Sequence, residues 1–132
     1  MFRASTRSVL IVDHHRDTRE MYACALLEAG YEVVEACDGA DAIVAATGHL
    51  PDVVVSDIRM PGPVNAVDLC RHFTRLGVKV IVMTGIGPGE EQRAVQAAGC
   101  TVLAMKPLPP DMLSDFVAQI VQPIRSDYRP SG

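Results

Sequence analysis

Short apolar runs alternate along the chain with stretches of helical spacing. Ser8 to Val12 is an apolar run that Asp13-His14-His15-Arg16-Asp17 breaks, and a helical pattern follows to Ala29. In that helix Met21, Cys24, Ala25 and Leu27-Glu28 read as a core stripe with a polar flank, and Gly30 as the residue past its end. Tyr31 to Cys37 reads as a second strand, Asp38-Gly39 as a turn, and Ala40 to Thr47 as an alanine-rich helix. Val53 to Val55 is β-branched throughout, as in a strand buried on both faces, and Asp57 ends it just before Pro61-Gly62-Pro63. Val67, Leu69, Cys70 and Phe73 mark a third helix that stops at Gly77. Lys79 to Thr84 is a fourth strand, and Gly85 to Gly89 a flexible connection to a short helix through Val95 and Ala98, closed by Gly99. Thr101 to Met105 is the fifth strand, and beyond Lys106-Pro107-Leu108-Pro109-Pro110 a last helix carries Leu113, Phe116, Val117, Ile120 and Val121 on one stripe.

Five strands alternating with five helices predict an α/β domain with a parallel sheet covered on both faces, because parallel strands require crossovers. Residues 8–122 form this one domain, residues 1–7 read as a disordered tail, and residues 123–132 as a disordered tail or the stump of a linker. With 48% hydrophobic and 21% charged residues the chain is of globular composition, and no apolar run approaches membrane-spanning length. The apolar run at Val9 to Val12 is too short for a secretory signal, so the cytoplasm is the expected compartment. A net charge of −4 argues against nucleic acid as a partner, which would require a basic stripe. Cys24, Cys37, Cys70 and Cys100 lack metal-binding spacing and read as small buried hydrophobes.

In a parallel sheet every strand ends on the same edge, so residues distant in sequence meet there. The first strand ends in Asp13, the third in Asp57, the fourth in Thr84 and the fifth in Lys106. Asp57 on its own could simply open a turn. Together the four suit phosphoryl transfer. Paired carboxylates attract a hard divalent cation, most naturally Mg²⁺, and one carboxylate can be a nucleophile that forms an acyl phosphate. A hydroxyl and an ammonium supply the hydrogen bond and counter-charge that the new phosphate requires.

These pieces, Val-Leu-Ile-Val-Asp at 9–13, Asp-Ile-Arg-Met-Pro at 57–61, Met-Thr-Gly at 83–85 and Lys106-Pro107, resemble the receiver domain of bacterial two-component response regulators. The resemblance covers residues 8–122 and implies the CheY-like, flavodoxin-like (βα)5 sandwich with strand order 2-1-3-4-5. It implies Asp57 as phosphoacceptor from a histidine kinase or phosphotransfer protein, Thr84 as switch hydroxyl, Gly85 as the small residue that keeps the site open, and Lys106 as phosphate-binding lysine. It also implies Mg²⁺ held by Asp13, Asp57 and the Arg59 backbone carbonyl, and a cis Lys106-Pro107 bond. Such a module is a switch rather than an enzyme, with self-phosphorylation and autodephosphorylation at Asp57 as its only chemistry. Its output would be the surface of the fourth helix, fifth strand and last helix, offered to a downstream protein or a second copy.

Three positions depart from the family pattern. His14 stands where a second acidic metal ligand is usual, which either weakens the Mg²⁺ site or turns it toward Mn²⁺ or Zn²⁺, weakening being the more ordinary consequence. Leu103 replaces the aromatic switch residue, and Asn65 a glycine, with Asn tolerating the left-handed conformation. His15, His49 and His72 show no ligand spacing and read as surface residues. The alternative suggested by His14 and Leu103 is a degenerate receiver that binds partners without phosphorylation. A phosphatase of the haloacid dehalogenase type is disfavoured, because Asp57-Ile58-Arg59 lacks its Asp-x-Asp and the chain lacks room for a cap.

Overall fold

The computed structural model describes residues 6–85 and 89–121. Its elements, in chain order, are β1 (Ser8–Val12), α1 (Arg16–Glu28), β2 (Glu32–Ala36), α2 (Gly39–Ala45), β3 (Val53–Asp57), α3 (Ala66–Arg75), β4 (Lys79–Thr84), α4 (Glu90–Ala97), β5 (Val102–Met105) and α5 (Pro110–Ile120). The strands form one parallel sheet in the order β2-β1-β3-β4-β5. This is the doubly wound, flavodoxin-like α/β sandwich, and the strand order reverses direction between β1 and β3.

The pleat divides the core in two, because successive strand residues face opposite sides of the sheet. Val9, Ile11, Val53, Val55, Ile81 and Met83 pack against Tyr22, Leu26, Leu113 and Val117 of α1 and α5. Leu10, Val12, Val54, Val80 and Val82 pack against Ala42, Leu69, Phe73 and Val95 of α2, α3 and α4. With both faces covered, β1 and β3 are buried along their whole length, whereas β2 at the sheet edge is largely exposed. At the ends of α1 and α4 the chain turns through Gly30 (φ 98°) and Gly99 (φ 105°), a left-handed conformation that a Cβ would penalise.

The helix α1 forms as expected but is rotated from the expected face. Tyr22, Ala23 and Leu26 are buried, while Met21 and Leu27 are 44% and 56% exposed and Cys24 faces solvent. The reason is Tyr22: it buries its ring against the sheet and donates its hydroxyl to the Leu108 carbonyl (2.8 Å), satisfying both halves of an amphipathic side chain. A second correction concerns the cysteines. Cys70 is buried and Cys100 partly so, but Cys24 and Cys37 are exposed, Cys24 on the outer face of α1 and Cys37 just past the edge strand β2. Arg7, assigned by sequence to the tail, is tied to the sheet: its carbonyl accepts from Glu32 N (2.9 Å) and its guanidinium lies 3.7 Å from Asp52. The rest of the expected terminal tails, residues 1–5 and 122–132, and residues 86–88 of the glycine-rich connection lie outside the described residues.

Asn65 does not adopt the left-handed conformation allowed for it. Its φ is −95°, and it caps α3: its side chain accepts from Asp68 N (2.9 Å) while Asp68 accepts from Asn65 N (3.1 Å). Left-handed backbone in this loop falls instead on Gly62 (φ 92°). Two otherwise orphaned helix donors are satisfied by this capping box, so Asn65→Ala is expected to cost about 1 kcal/mol, read as a lowered denaturant midpoint with an unchanged slope.

Candidate functional site

The carboxyl edge of the sheet gathers the strand-ending residues. Register pairs Val12 with Ser56, so Asp13 and Asp57 follow on neighbouring strands, and Asp57 is itself paired with Met83, next to Thr84. The loops beyond β3 and β5 are zipped onto β4, through Ile58 N to the Met83 carbonyl (2.8 Å) and Lys106 N to the Thr84 carbonyl (2.8 Å). These bonds bring Lys106 to the acid: its Nζ lies 3.2 Å from Asp57 Oδ2. Asp13, Asp57 and Thr84 are all buried, at 0%, 6% and 1% exposure, whereas the Lys106 side chain keeps 28%. A buried carboxylate and a partly exposed ammonium thus stand within salt-bridge distance at the sheet edge. The Lys106-Pro107 bond is cis.

Asp13 is the most constrained member. Its Oδ1 accepts from His15 N (2.9 Å), its carbonyl accepts from Arg19 (2.9 Å), and its N–H donates to the Ala36 carbonyl (3.1 Å). Its Oδ2 is buried and has no hydrogen-bond partner among the described residues. A buried, unpartnered carboxylate oxygen is costly unless a cation supplies the counter-charge, so the donor set suits a divalent ion. Burial raises the Tyr22 hydroxyl above its ordinary pKa, and the charges of Asp13 and Asp57 raise it further.

The other expected site residues stand nearby in different roles. Arg59 donates its backbone N–H weakly to Asp57 Oδ1 (3.4 Å), and its exposed guanidinium lies 3.6 Å from Glu91 of α4, a contact worth little in solvent. His14 lines an open depression of about 420 Å³ together with Arg59, Met60, Pro61 and Glu91. A Cβ added to Gly85 would sit 4.0 Å from Lys106 Cβ and Cδ, so this position does abut the lysine. Leu103 is half-buried against the α3/α4 core.

Three participants were not singled out from the sequence. Gln92, in the first turn of α4, is 9% exposed and donates its amide to Thr84 Oγ (3.4 Å). Arg19 holds the Asp13 carbonyl and also bonds Glu35 (2.9 Å). His15 lies on the surface as expected, yet its Nδ1 is 3.4 Å from Asp13 Oδ1. Only the His-His pair directly after a strand-ending aspartate could have been flagged from sequence. His72 is half-buried, edge-on to Phe73, rather than a free surface residue. No cysteine offers competing chemistry at the core: the Cys70 thiol is pushed up to about 12 by burial and by its neighbour Cys100.

A doubly wound sheet with buried acids at its switch point, a hydroxyl on the next strand and a lysine beyond it defines a narrow class of domain. The chain belongs to the response regulator receiver domain family, whose model matches residues 9–118. It is 32% identical over 116 residues to the CAI-1 autoinducer sensor kinase/phosphatase CqsS of Vibrio cholerae, covering 85% of this chain and 17% of that protein. It is 32% identical over 108 residues to the phosphate regulon transcriptional regulatory protein PhoB of Pseudomonas aeruginosa, covering 79% of this chain and 47% of that protein. The chain therefore spans less than half the length of either relative. Among solved structures it is similar to chemotaxis protein CheY4 of Vibrio cholerae, with a TM-score of 0.80 and 27% identity over 88% of this chain and 99% of that one. It is also similar to a CheY-like receiver domain protein from Methanospirillum hungatei, with a TM-score of 0.78 and 26% identity over 88% and 94% of the two chains. Among the described residues no helix is long and apolar enough to cross a membrane.

Proposed function

We propose that this receiver domain is a phosphorylation switch whose acceptor is Asp57. The observation that carries the reading is the Asp57 carboxylate, buried at the end of the central strand with Lys106 Nζ 3.2 Å away. Asp57 attacks the phosphorus of a phosphohistidine on a histidine kinase or phosphotransfer protein. A P–O bond forms, the P–N bond breaks, and its electron pair leaves with the imidazole. Lys106 supplies the counter-charge to the acyl phosphate, and the Thr84 hydroxyl donates to a phosphoryl oxygen. A divalent cation held by Asp13, Asp57 and the Arg59 carbonyl offsets charge on the incoming phosphoryl group when bound. Beyond this self-modification the domain turns over no substrate. It works in the cytoplasm, where kinase and target are available, and presents α4, β5 and α5 to a downstream protein or a second copy.

The rival reading is a receiver that binds partners without phosphorylation. The two separate by intact mass. Incubation with a small phosphodonor and a divalent cation should add about 80 Da as a hydrolytically labile adduct, since acyl phosphates hydrolyse readily. No adduct under any cation, with the fold intact by circular dichroism, would favour the binding module instead.

A further inference from the structure

We propose that Asp13, His14 and His15 form a transition-metal site that takes Zn²⁺ or Co²⁺ ahead of Mg²⁺. The inference deepens the phosphoacceptor reading, on which it rests for the metal's purpose, by naming the class of ion. One donor atom from each of the three residues lies within 4.8 Å of the other two. The imidazole rings of His14 and His15 are neighbours, with centroids 3.9 Å apart at 42°. Zn²⁺ holds N and O ligands at about 2.0–2.2 Å, so donors on one ion sit roughly 3–3.5 Å apart. Both histidines are exposed, and rotation about their side-chain bonds closes that gap while buried Asp13 stays where its backbone bonds fix it.

The independent pointer to an ion is Asp13 itself, fully buried with Oδ2 unpartnered. Exposed histidines alone would mean nothing, since solvent satisfies them. A buried carboxylate with one oxygen unpartnered and the other 3.4 Å from the His15 Nδ1 is a different case. Two neutral nitrogens added beside the oxygens of Asp13, Asp57 and the Arg59 carbonyl turn the donor set away from Mg²⁺, which prefers charged oxygen and water in a strict octahedron. Imidazole suits Zn²⁺ and Co²⁺, both of which bind nitrogen donors more tightly than Mn²⁺, and Zn²⁺ commonly takes three protein ligands.

The test uses the full chain without phosphodonor, in reducing buffer. Co²⁺ titration should produce visible d–d absorption that Zn²⁺ abolishes by displacement, and calorimetry should give Zn²⁺ an affinity about 100-fold or more above that of Mg²⁺. His14→Ala and His15→Ala should each weaken Zn²⁺ binding by about tenfold or more, and His14→Asp should narrow the gap between Zn²⁺ and Mg²⁺. Both positions are exposed, so the variants should fold. Cys24→Ser with Cys37→Ser should leave the Co²⁺ spectrum unchanged. Undiminished Zn²⁺ binding with His14→Ala and His15→Ala combined, or Mg²⁺ bound as tightly as Zn²⁺ by the wild type, would overturn the assignment. Because no phosphoryl group is involved, failure here leaves the mass experiment standing, and failure of that experiment leaves the metal titration standing.

Discussion

Asp57→Asn is expected to abolish the labile adduct completely while leaving the fold intact. An amide nitrogen or oxygen cannot replace the carboxylate as nucleophile, because no stable acyl phosphate results. The substitution is nearly isosteric in a buried position, so neither cavity nor overpacking follows. Its electrostatic cost is small for two reasons. Lys106 loses its partner but keeps 28% of its side chain in solvent, and the charge at Asp13 loses a like-charged neighbour at the strand edge. Unfolding in denaturant should therefore shift by no more than about 1 kcal/mol, within the range of mild substitutions. An undiminished adduct of about 80 Da in the variant would reassign the acceptor to another nucleophile.

Why Asp57 and Lys106 could be found from sequence, and Gln92 could not, follows from how each is positioned. A strand buried on both faces writes itself as a continuous β-branched run, and the first polar residue after it must lie at the sheet edge. Val53 to Asp57 and Lys79 to Thr84 are such runs, so the site's strand ends were legible. Helices are read from period alone, and α1 offers two phases. Met21, Cys24 and Leu27 make one plausible stripe; Tyr22, Ala23 and Leu26 make the other, and the buried face was settled by a hydroxyl that reaches Leu108 across 86 positions of sequence. Asn65 had the right tolerance for a left-handed turn, but Asp68 three residues on made capping the better use of its side chain. Gln92 on a helix otherwise rich in polar residues carries no mark at all; only the packing of α4 against β4 turns one glutamine inward.

That glutamine shapes how a signal would leave the site. A hydroxyl has one donor and two acceptor positions, so Thr84 can accept from Gln92 and donate to a phosphoryl oxygen at once. Movement of Thr84 toward a phosphorylated Asp57 would then pull on, or break, a bond to the first turn of α4. Leu103 lacks the reach and polar tip of the usual aromatic latch, which leaves the amide as a polar link from Thr84 to the α4 surface. A hydrogen bond to a charged group contributes about 1.5–3 kcal/mol, so phosphate should shift the two-state population by roughly ten- to a hundredfold. Without the ring as latch the gap between states is expected to be smaller, with both populated before phosphorylation. Amide exchange with and without a phosphoryl mimic should show changes across Glu90–Ala97 and Val102–Met105 in the wild type. Gln92→Leu keeps the helix and fills similar space, and in it the α4 change should shrink severalfold while the loop after Asp57 responds as before. An α4 response of the same size in Gln92→Leu would remove the glutamine from the route, and wild-type changes confined to the loop after Asp57 would remove the route itself.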